Sequence, residues 1–342
     1  MESNKAAPQD KFRVLLIHGF AGTGSHIIAK TAPITKRLAE LITPDILSEF
    51  PGGIEFLTPD APMLLEPPFG LTRNTDDSIG DENDDLEKPN TLPGQRHEQT
   101  ALGWWYGRDT LNHYKGIEAS LSFLARYIHG RPIHGIIGFS QGGAMAGMVC
   151  SLVDCHYNPE KVAAIRAQGL PADDYLQLPG QERLRFMVAI GGYQGTLKYY
   201  GSLYQWPMHT PSIHTLASMD AIVEHQHSMA LARCFTSYEI VEYFGAHFVP
   251  RDDVSVNALA YFAANASLRG GLHQCLRLPA TPPLSQSGSI SEDEDFSTTA
   301  SSSTGRSRSD GSGSRRLITV WKRKRQTRVA WGRRVQAVAS PT

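Results

Sequence analysis

Six short runs of apolar residues limit the possible folds of this chain more than any other feature. They are Val14 to Ile17, Ile54 to Leu57, Ile133 to Ile137, Phe186 to Ile190, Ile213 to Leu216 and Tyr238 to Tyr243. Apolar runs without polar alternation indicate strands that are buried on both faces. Segments with helical spacing lie between them, and the clearest extends from Lys115 to His129. This alternation predicts an α/β fold with a mostly parallel, six-stranded sheet flanked by helices.

Two stretches interrupt the alternation and define the expected domain organisation. Residues 66–94 are acidic and bounded by prolines, which predicts an insertion that is either a solvated loop or a lid. Residues 279–342 are first Ser-rich and then basic, with few residues that a core would bury. We therefore expect a disordered N-terminus over 1–11, one domain over 12–275, and a disordered C-terminal tail over 279–342.

The charge is distributed unevenly between these parts. Residues 1–278 contain 22 lysines and arginines against 29 acidic residues, a formal charge of −7, whereas residues 305–342 contain 11 basic residues and one acid. Such a tail is typical of segments that bind nucleic acid or anionic membranes, or that are simply solvated. The cluster Lys322 to Arg325 also resembles a nuclear-import signal.

The cysteines and the N-terminus indicate the compartment. The four cysteines are scattered and form no CxxC pair, which favours a reducing environment over a disulfide framework. The N-terminus has no basic segment followed by an apolar one, and no window of 18 apolar residues occurs. We expect a cytoplasmic protein, with nuclear entry left open by the basic cluster.

The segment Gly138 to Gly142 reads GFSQG and places Ser140 between an apolar run and a small-residue helical stretch, Gly143 to Val153. A serine on a sharp turn from strand to helix exposes its hydroxyl, and flanking glycines give the turn the space it needs. The helix N-terminus adds backbone N–H groups beside that hydroxyl. The motif predicts Ser140 as a nucleophile, and a tight packing turn is the alternative.

A serine nucleophile needs a histidine base that is oriented by a carboxylate, in the chain order Ser, Asp, His. The later histidines are His225, His227, His247 and His273. The first two fall in a predicted helix from Ala221 to Cys234, and the last lies in the Gly-rich exit from the domain. His247 follows the run that ends at Tyr243, from where a loop can reach Ser140. We predict His247 as the base, with a structural histidine as the alternative.

The orienting acid is expected one strand before the histidine. Asp220 lies there, in the loop after Ile213 to Leu216. It could instead cap a helix that begins at Ala221. Asp173 and Asp174 lie in a polar linker, which is a poorer position.

An oxyanion hole needs two backbone N–H donors, one from the residue after the nucleophile and one from a loop after an early strand. Gln141 supplies the first. The second is expected from Phe20, because Gly19 lets the chain turn out of the first strand. His18 is expected to support this loop by hydrogen bonding, with a second base as the alternative reading.

Several stretches resemble a known family. They are Val14 to Phe20, Asp60 to Pro62, Trp104 to Tyr106, Gly116 to Leu121, Gly135 to Ala144 and His247 to Pro250. Together they resemble the FSH group of family serine hydrolases over residues 12 to about 265. The resemblance implies a minimal α/β-hydrolase fold that lacks the first strands, with Ser140, Asp220 and His247 as its triad. It also implies esters or thioesters as substrates, including acyl chains released in fungal secondary metabolism.

Large apolar residues near the motif are candidates for an acyl-binding pocket. They are Phe20, Trp104, Trp105, Phe139 and Phe248. Buried aromatic residues are more often core, so a core position for both tryptophans is the alternative. The sequence contains no HExxH motif, P-loop or GxGxxG motif, so we expect neither a metal nor a cofactor.

These observations predict a serine hydrolase that cleaves a carboxylic ester or thioester through an acyl-Ser140 intermediate. The expected partner is a small-molecule acyl substrate, free or on a carrier protein. The alternative is a non-catalytic scaffold whose basic tail, including Trp321 and Trp331, binds nucleic acid or an anionic membrane.

Overall fold

The computed structural model describes residues 10–65, 101–107, 114–195, 198–268 and 320–322. The predicted acidic insertion over 66–94 lies outside the described residues. So do residues 1–9 of the predicted disordered N-terminus, the domain end near residue 275, and the tail apart from 320–322.

The central sheet has seven strands in the order β2-β1-β5-β6-β7-β8-β9. Its strands are β1 (Phe12–Ile17), β2 (Ile54–Leu57), β5 (Gly135–Phe139), β6 (Phe186–Ile190), β7 (Ser212–Ala217), β8 (Tyr238–Tyr243) and β9 (Val320–Lys322). The first six are parallel to one another, which confirms the predicted α/β class and six-stranded parallel sheet. Two further strands, β3 (Met63–Leu64) and β4 (Leu102–Gly103), form a separate antiparallel pair.

Strand β9 was not predicted, because residues 279–342 were expected to be disordered throughout. It pairs antiparallel with β8 between Glu239 and Val241. The outer edge of β8 presents backbone N–H and C=O groups that a segment of almost any sequence can satisfy. The run Leu317 to Trp321 is apolar, but it is a single short run between Ser-rich and basic stretches, so the composition of the tail as a whole concealed it.

Helices cover both faces of the sheet. They are α1 (Gly24–Leu41), α2 (Pro44–Glu49), α3 (Ile117–Ile128), α4 (Gln141–Val153), α5 (Pro159–Ala167), α6 (Ala172–Leu176), α7 (His225–Arg233) and α8 (Asp253–Ser267), with 3-10 turns at Asp154–Tyr157 and Lys198–Leu203. Helices α1, α2 and α8 share one apolar core with the sheet, and α3 to α7 share the core on the opposite face. Every residue of α4 is buried, which explains why its sequence is apolar and small on all sides.

The strand order determines where a site can form. Strand β1 pairs with β2 on one side and with β5 on the other, so the chain changes direction across the sheet at β1. In open α/β sheets, ligands bind at such a switch point, beyond the carboxyl ends of the strands. None of the helices in the described ranges is both long and apolar enough to cross a membrane.

Candidate active site

Ser140 lies at the carboxyl end of β5 in a strained turn. Its backbone has φ 54° and ψ −121°, and its N–H donates to the Ile190 carbonyl at 2.8 Å. A positive φ is uncommon for a residue with a Cβ and persists only where neighbouring structure enforces it. A Cβ on Gly138 would lie 2.1 Å from the Gly142 oxygen, and one on Gly142 would lie 2.1 Å from the Ile17 oxygen. Both glycines are therefore required by close backbone contacts.

The structure brings Ser140, His247 and Asp220 together from the ends of three strands. Ser140 Oγ lies 2.8 Å from His247 Nε2, and His247 Nδ1 lies 2.7 Å from Asp220 Oδ2. These distances are within the range of good hydrogen bonds. Since a carboxylate oxygen only accepts, Nδ1 carries the ring proton and Nε2 is left to accept the Ser140 proton.

The Asp220 carboxylate is held in its ionised form. Its Oδ1 accepts from the backbone N–H groups of Ile222 at 2.9 Å and Val223 at 2.8 Å. Burial alone raises the pKa of this carboxyl, but the hydrogen bonds from Val223, His247 and Ile222 outweigh it, so the pKa is below its ordinary value. These hydrogen bonds close a turn rather than cap a helix, because α7 begins at His225 and not, as predicted, at Ala221.

The loop that carries His247 is tied to the strand before it. Tyr243 Oη donates to the Phe248 carbonyl at 2.5 Å. The imidazole packs against the Phe139 ring, with the two centroids 5.1 Å apart. On another side lies Gly191, where a Cβ would be 3.0 Å from His247 Cε1. These contacts leave the ring little freedom to turn away from Ser140.

The segments that carry the two predicted oxyanion donors pass beside Ser140. Gln141 is the first residue of α4, so its N–H has no acceptor within the helix. The chain before Phe20 passes close to the nucleophile, since a Cβ on Gly19 would lie 3.2 Å from Ser140 Cβ. The geometry is compatible with the predicted pair of donors.

His18 supports this loop from a buried position. Ala61 N–H donates to its Nε2 at 3.0 Å, so Nδ1 carries the proton and donates to the Gly19 carbonyl at 2.7 Å. Burial, opposed by the hydrogen bond to Gly19, lowers the pKa of His18, so the ring is neutral. The structure thus favours the predicted supporting role over a second base.

A cavity of about 520 Å³ opens onto Ser140 and His247. Its walls include Phe20, Phe139 and Phe248, as predicted, together with Ile222. The two tryptophans that were predicted to line the pocket lie elsewhere.

Trp104 and Trp105 lie in the core, with 0% and 2% exposure, and not among the described residues that line the cavity. Trp104 Nε1 donates to the His18 carbonyl at 2.8 Å, and Gln141 Nε2 donates to the Trp105 carbonyl at 2.9 Å. These hydrogen bonds connect the two tryptophans to His18 and Gln141, which lie in the segments predicted to supply the oxyanion donors.

The other candidate residues lie elsewhere. His225 Nε2 is 2.7 Å from the Ala217 carbonyl oxygen, and Asp173 is paired with Arg166 on the surface. His273 lies outside the described residues. In the part of the chain that the structure describes, no group of three or more His, Cys, Asp or Glu side chains could hold a metal ion.

The family model described as "Serine hydrolase (FSH1)" matches residues 8–259. The chain belongs to this family. The predicted resemblance to the FSH group is thereby confirmed, and membership of the FSH1 family supports hydrolase activity.

The individual relatives described next have low sequence identity to this FSH1 family member. Esterase OVCA2 of Xenopus tropicalis is 24% identical over 259 residues, which cover 73% of this chain and 90% of the relative. Esterase OVCA2 of Homo sapiens is 27% identical over 164 residues, which cover 45% of this chain and 63% of the relative. Among solved structures, acyl-protein thioesterase 2 of Zea mays has 14% identity and a TM-score of 0.44, covering 76% of this chain and 95% of that one.

Proposed function

We propose that this FSH1 family member is a serine hydrolase that cleaves carboxylic esters or thioesters through an acyl-Ser140 intermediate. The observation that carries the proposal is the continuous hydrogen-bonded chain from Ser140 through His247 to Asp220. A chain of this kind activates a hydroxyl that is otherwise a weak nucleophile near neutral pH. The cavity beside it has room for an acyl group.

In the first half-reaction Ser140 Oγ attacks the carbonyl carbon while His247 Nε2 takes the hydroxyl proton. The ionised Asp220 stabilises the positive charge that forms on the imidazole. The carbonyl oxygen becomes an oxyanion, for which the N–H groups of Phe20 and Gln141 are the proposed donors. Collapse of this intermediate breaks the bond to the leaving alcohol or thiol, which receives its proton from His247.

In the second half-reaction a water molecule attacks the acyl-Ser140 carbonyl and gives its proton to His247. The tetrahedral intermediate collapses, the acid leaves, and Ser140 recovers its proton. The name of the Xenopus tropicalis relative supports an ester as substrate, and the same attack by a serine hydroxyl would cleave a thioester. The substrate is a small acyl compound or an acyl chain on a carrier, and a role in secondary metabolism is part of this proposal.

Labelling with a fluorophosphonate tests the assignment of Ser140. We expect the wild-type protein to be labelled on the peptide that contains Ser140, and the Ser140→Ala variant to lose both labelling and ester hydrolysis. Ser48→Ala is the matched control, because Ser48 is an exposed serine on α2. Labelling of Ser140→Ala at the wild-type rate would show that another residue is the nucleophile.

A further inference from the structure

The wall of the cavity contains two cations that the mechanism above does not use. Lys30 and Arg251 both line it, and both side chains are exposed. Among the described residues, neither forms an ion pair with a carboxylate. None of the described residues that line the cavity is acidic. The charge at the mouth of the cavity is therefore positive, although residues 1–278 carry a formal charge of −7.

The Lys30 ammonium is positioned close to the reacting groups. Its Nζ lies 5.3 Å from the centroid of the Phe139 ring, and that ring lies 5.1 Å from the His247 ring. Because each separation is just over 5 Å, the ammonium is at most about 10 Å from the imidazole. A short acyl chain or leaving group can span such a distance.

Arg251 is anchored through the backbone that follows the His247 loop. The next residue, Asp252, is the N-cap of α8, and its side chain accepts from the Ser255 N–H at 3.0 Å. A capped helix start fixes the chain direction there. Arg251 therefore extends from a fixed point only four residues after His247.

Apolar side chains adjoin these cations at the mouth of the cavity. Phe20 is 50% exposed, Ile222 73% and Phe248 45%, and all three line the cavity. Large apolar side chains with this exposure are typical of binding surfaces when they occur together. The lining can thus contact an apolar chain and an anionic group at once.

We propose that Lys30 and Arg251 form an anion-binding subsite beside Ser140, and that the substrate is an apolar acyl ester or thioester bearing a carboxylate or phosphate group. This inference rests on the proposed function and narrows its substrate class. The anion belongs either to the acyl chain or to the leaving group. Both sources place the same charge at the same two side chains.

Two pairs of substrates separate these sources. For the acyl side, the p-nitrophenyl half-ester of glutaric acid is compared with neutral p-nitrophenyl valerate. For the leaving group, butyryl-coenzyme A is compared with neutral butyryl-N-acetylcysteamine. The measured quantity is the ratio of kcat/KM for the anionic substrate to kcat/KM for its neutral counterpart.

We expect the wild-type protein to favour the anionic member of at least one pair. That ratio should fall about threefold in Lys30→Gln or Arg251→Gln and about tenfold in the double variant, as is typical of exposed charge pairs. It should also fall as salt is added. Lys36→Gln, an exposed lysine on the same helix, is the matched control and should keep the wild-type ratio. Equal ratios in wild type and double variant for both pairs would overturn the subsite.

A binding measurement tests the subsite independently of the rate of hydrolysis. Monohexyl glutarate is titrated calorimetrically into Ser140→Ala and into Ser140→Ala that also carries Lys30→Gln and Arg251→Gln. We expect at least fivefold weaker binding in the latter. Equal affinity would exclude the acyl chain as the source of the anion, and equal affinities together with equal ratios for the coenzyme A pair would overturn the subsite. Absent hydrolysis of every ester by the wild-type protein would count against the proposed function alone.

Discussion

The Asp220→Asn substitution tests the tautomer that the structure assigns to His247. In the wild-type protein Asp220 Oδ1 accepts from Ile222 and Val223, and Oδ2 faces His247. The asparagine oxygen will keep the two backbone donors, because the amide nitrogen cannot accept from them. Turning the amide over would lose two hydrogen bonds, at a cost of about 2 kcal/mol.

With the amide in that orientation, its NH₂ group faces His247 Nδ1. The ring must then accept there, so its proton moves to Nε2 and the atom opposite Ser140 can no longer serve as a base. We expect kcat to fall about 10⁴-fold, as wrong-tautomer variants of serine triads do. That loss corresponds to about 5 kcal/mol of transition-state stabilisation.

The assay is hydrolysis of p-nitrophenyl butyrate at neutral pH, well below the melting temperature. The temperature matters because the lowered pKa of Asp220 stabilises the fold above the pKa of the unfolded carboxyl, a contribution lost in the variant. Asp252→Asn is the matched control, since asparagine caps a helix about as well as aspartate does. A loss of less than tenfold in Asp220→Asn would refute the tautomer argument.

Three further predictions concern stability and the tail. Gly142→Ala places a Cβ against the Ile17 carbonyl and should lower the free energy of unfolding by about 2 kcal/mol. Gly201→Ala is the control, because Gly201 has open space around it and its substitution should leave that free energy unchanged. Equal melting temperatures of the two variants would contradict this prediction. Burial lowers the pKa of His214 to about 3. The neutral ring therefore stabilises the fold above the unfolded pKa of 6.5, and this contribution is lost as the pH falls toward about 3. Between about pH 6.5 and 4.5 the free energy of unfolding of the wild type, measured with denaturant, should fall by about 2 kcal/mol more than that of His214→Gln. Equal decreases in the two proteins would show that His214 does not contribute to this pH dependence. Removing residues 279–342 deletes β9 but no group of the site, so turnover of p-nitrophenyl butyrate should persist, and its loss would mean that the tail supports the site.

The sheet was predictable because its signal is local. Each of the six parallel strands contains a short, mostly apolar run, and the glycines of the segment Gly138 to Gly142 indicate its tight turn. Given the chain order Ser, Asp, His, the ends of the apolar runs then pointed to Asp220 and His247 as the candidates. These features depend on a few consecutive residues, so a single sequence contains them.

Other features depend on contacts between distant segments. The burial of Trp104 is decided by the His18 carbonyl and the Gln141 side chain, neither of which is near it in the sequence. Lys30 lies on a helix with one other lysine, Lys36, and only packing against Phe139 brings Lys30 to the cavity. Helix α7 begins after the predicted residue Ala221, because the Asp220 side chain closes a turn with the N–H groups of Ile222 and Val223.

The Tyr243 hydroxyl, which ties the His247 loop to its strand, also affects how the protein tolerates alkali. Burial and the nearby Asp220 charge raise the pKa of this phenol well above its ordinary value. The hydroxyl therefore keeps its proton, and its hydrogen bond to the Phe248 carbonyl, at pH values where exposed tyrosines ionise. The loop that holds His247 is thus not expected to loosen in moderately basic solution.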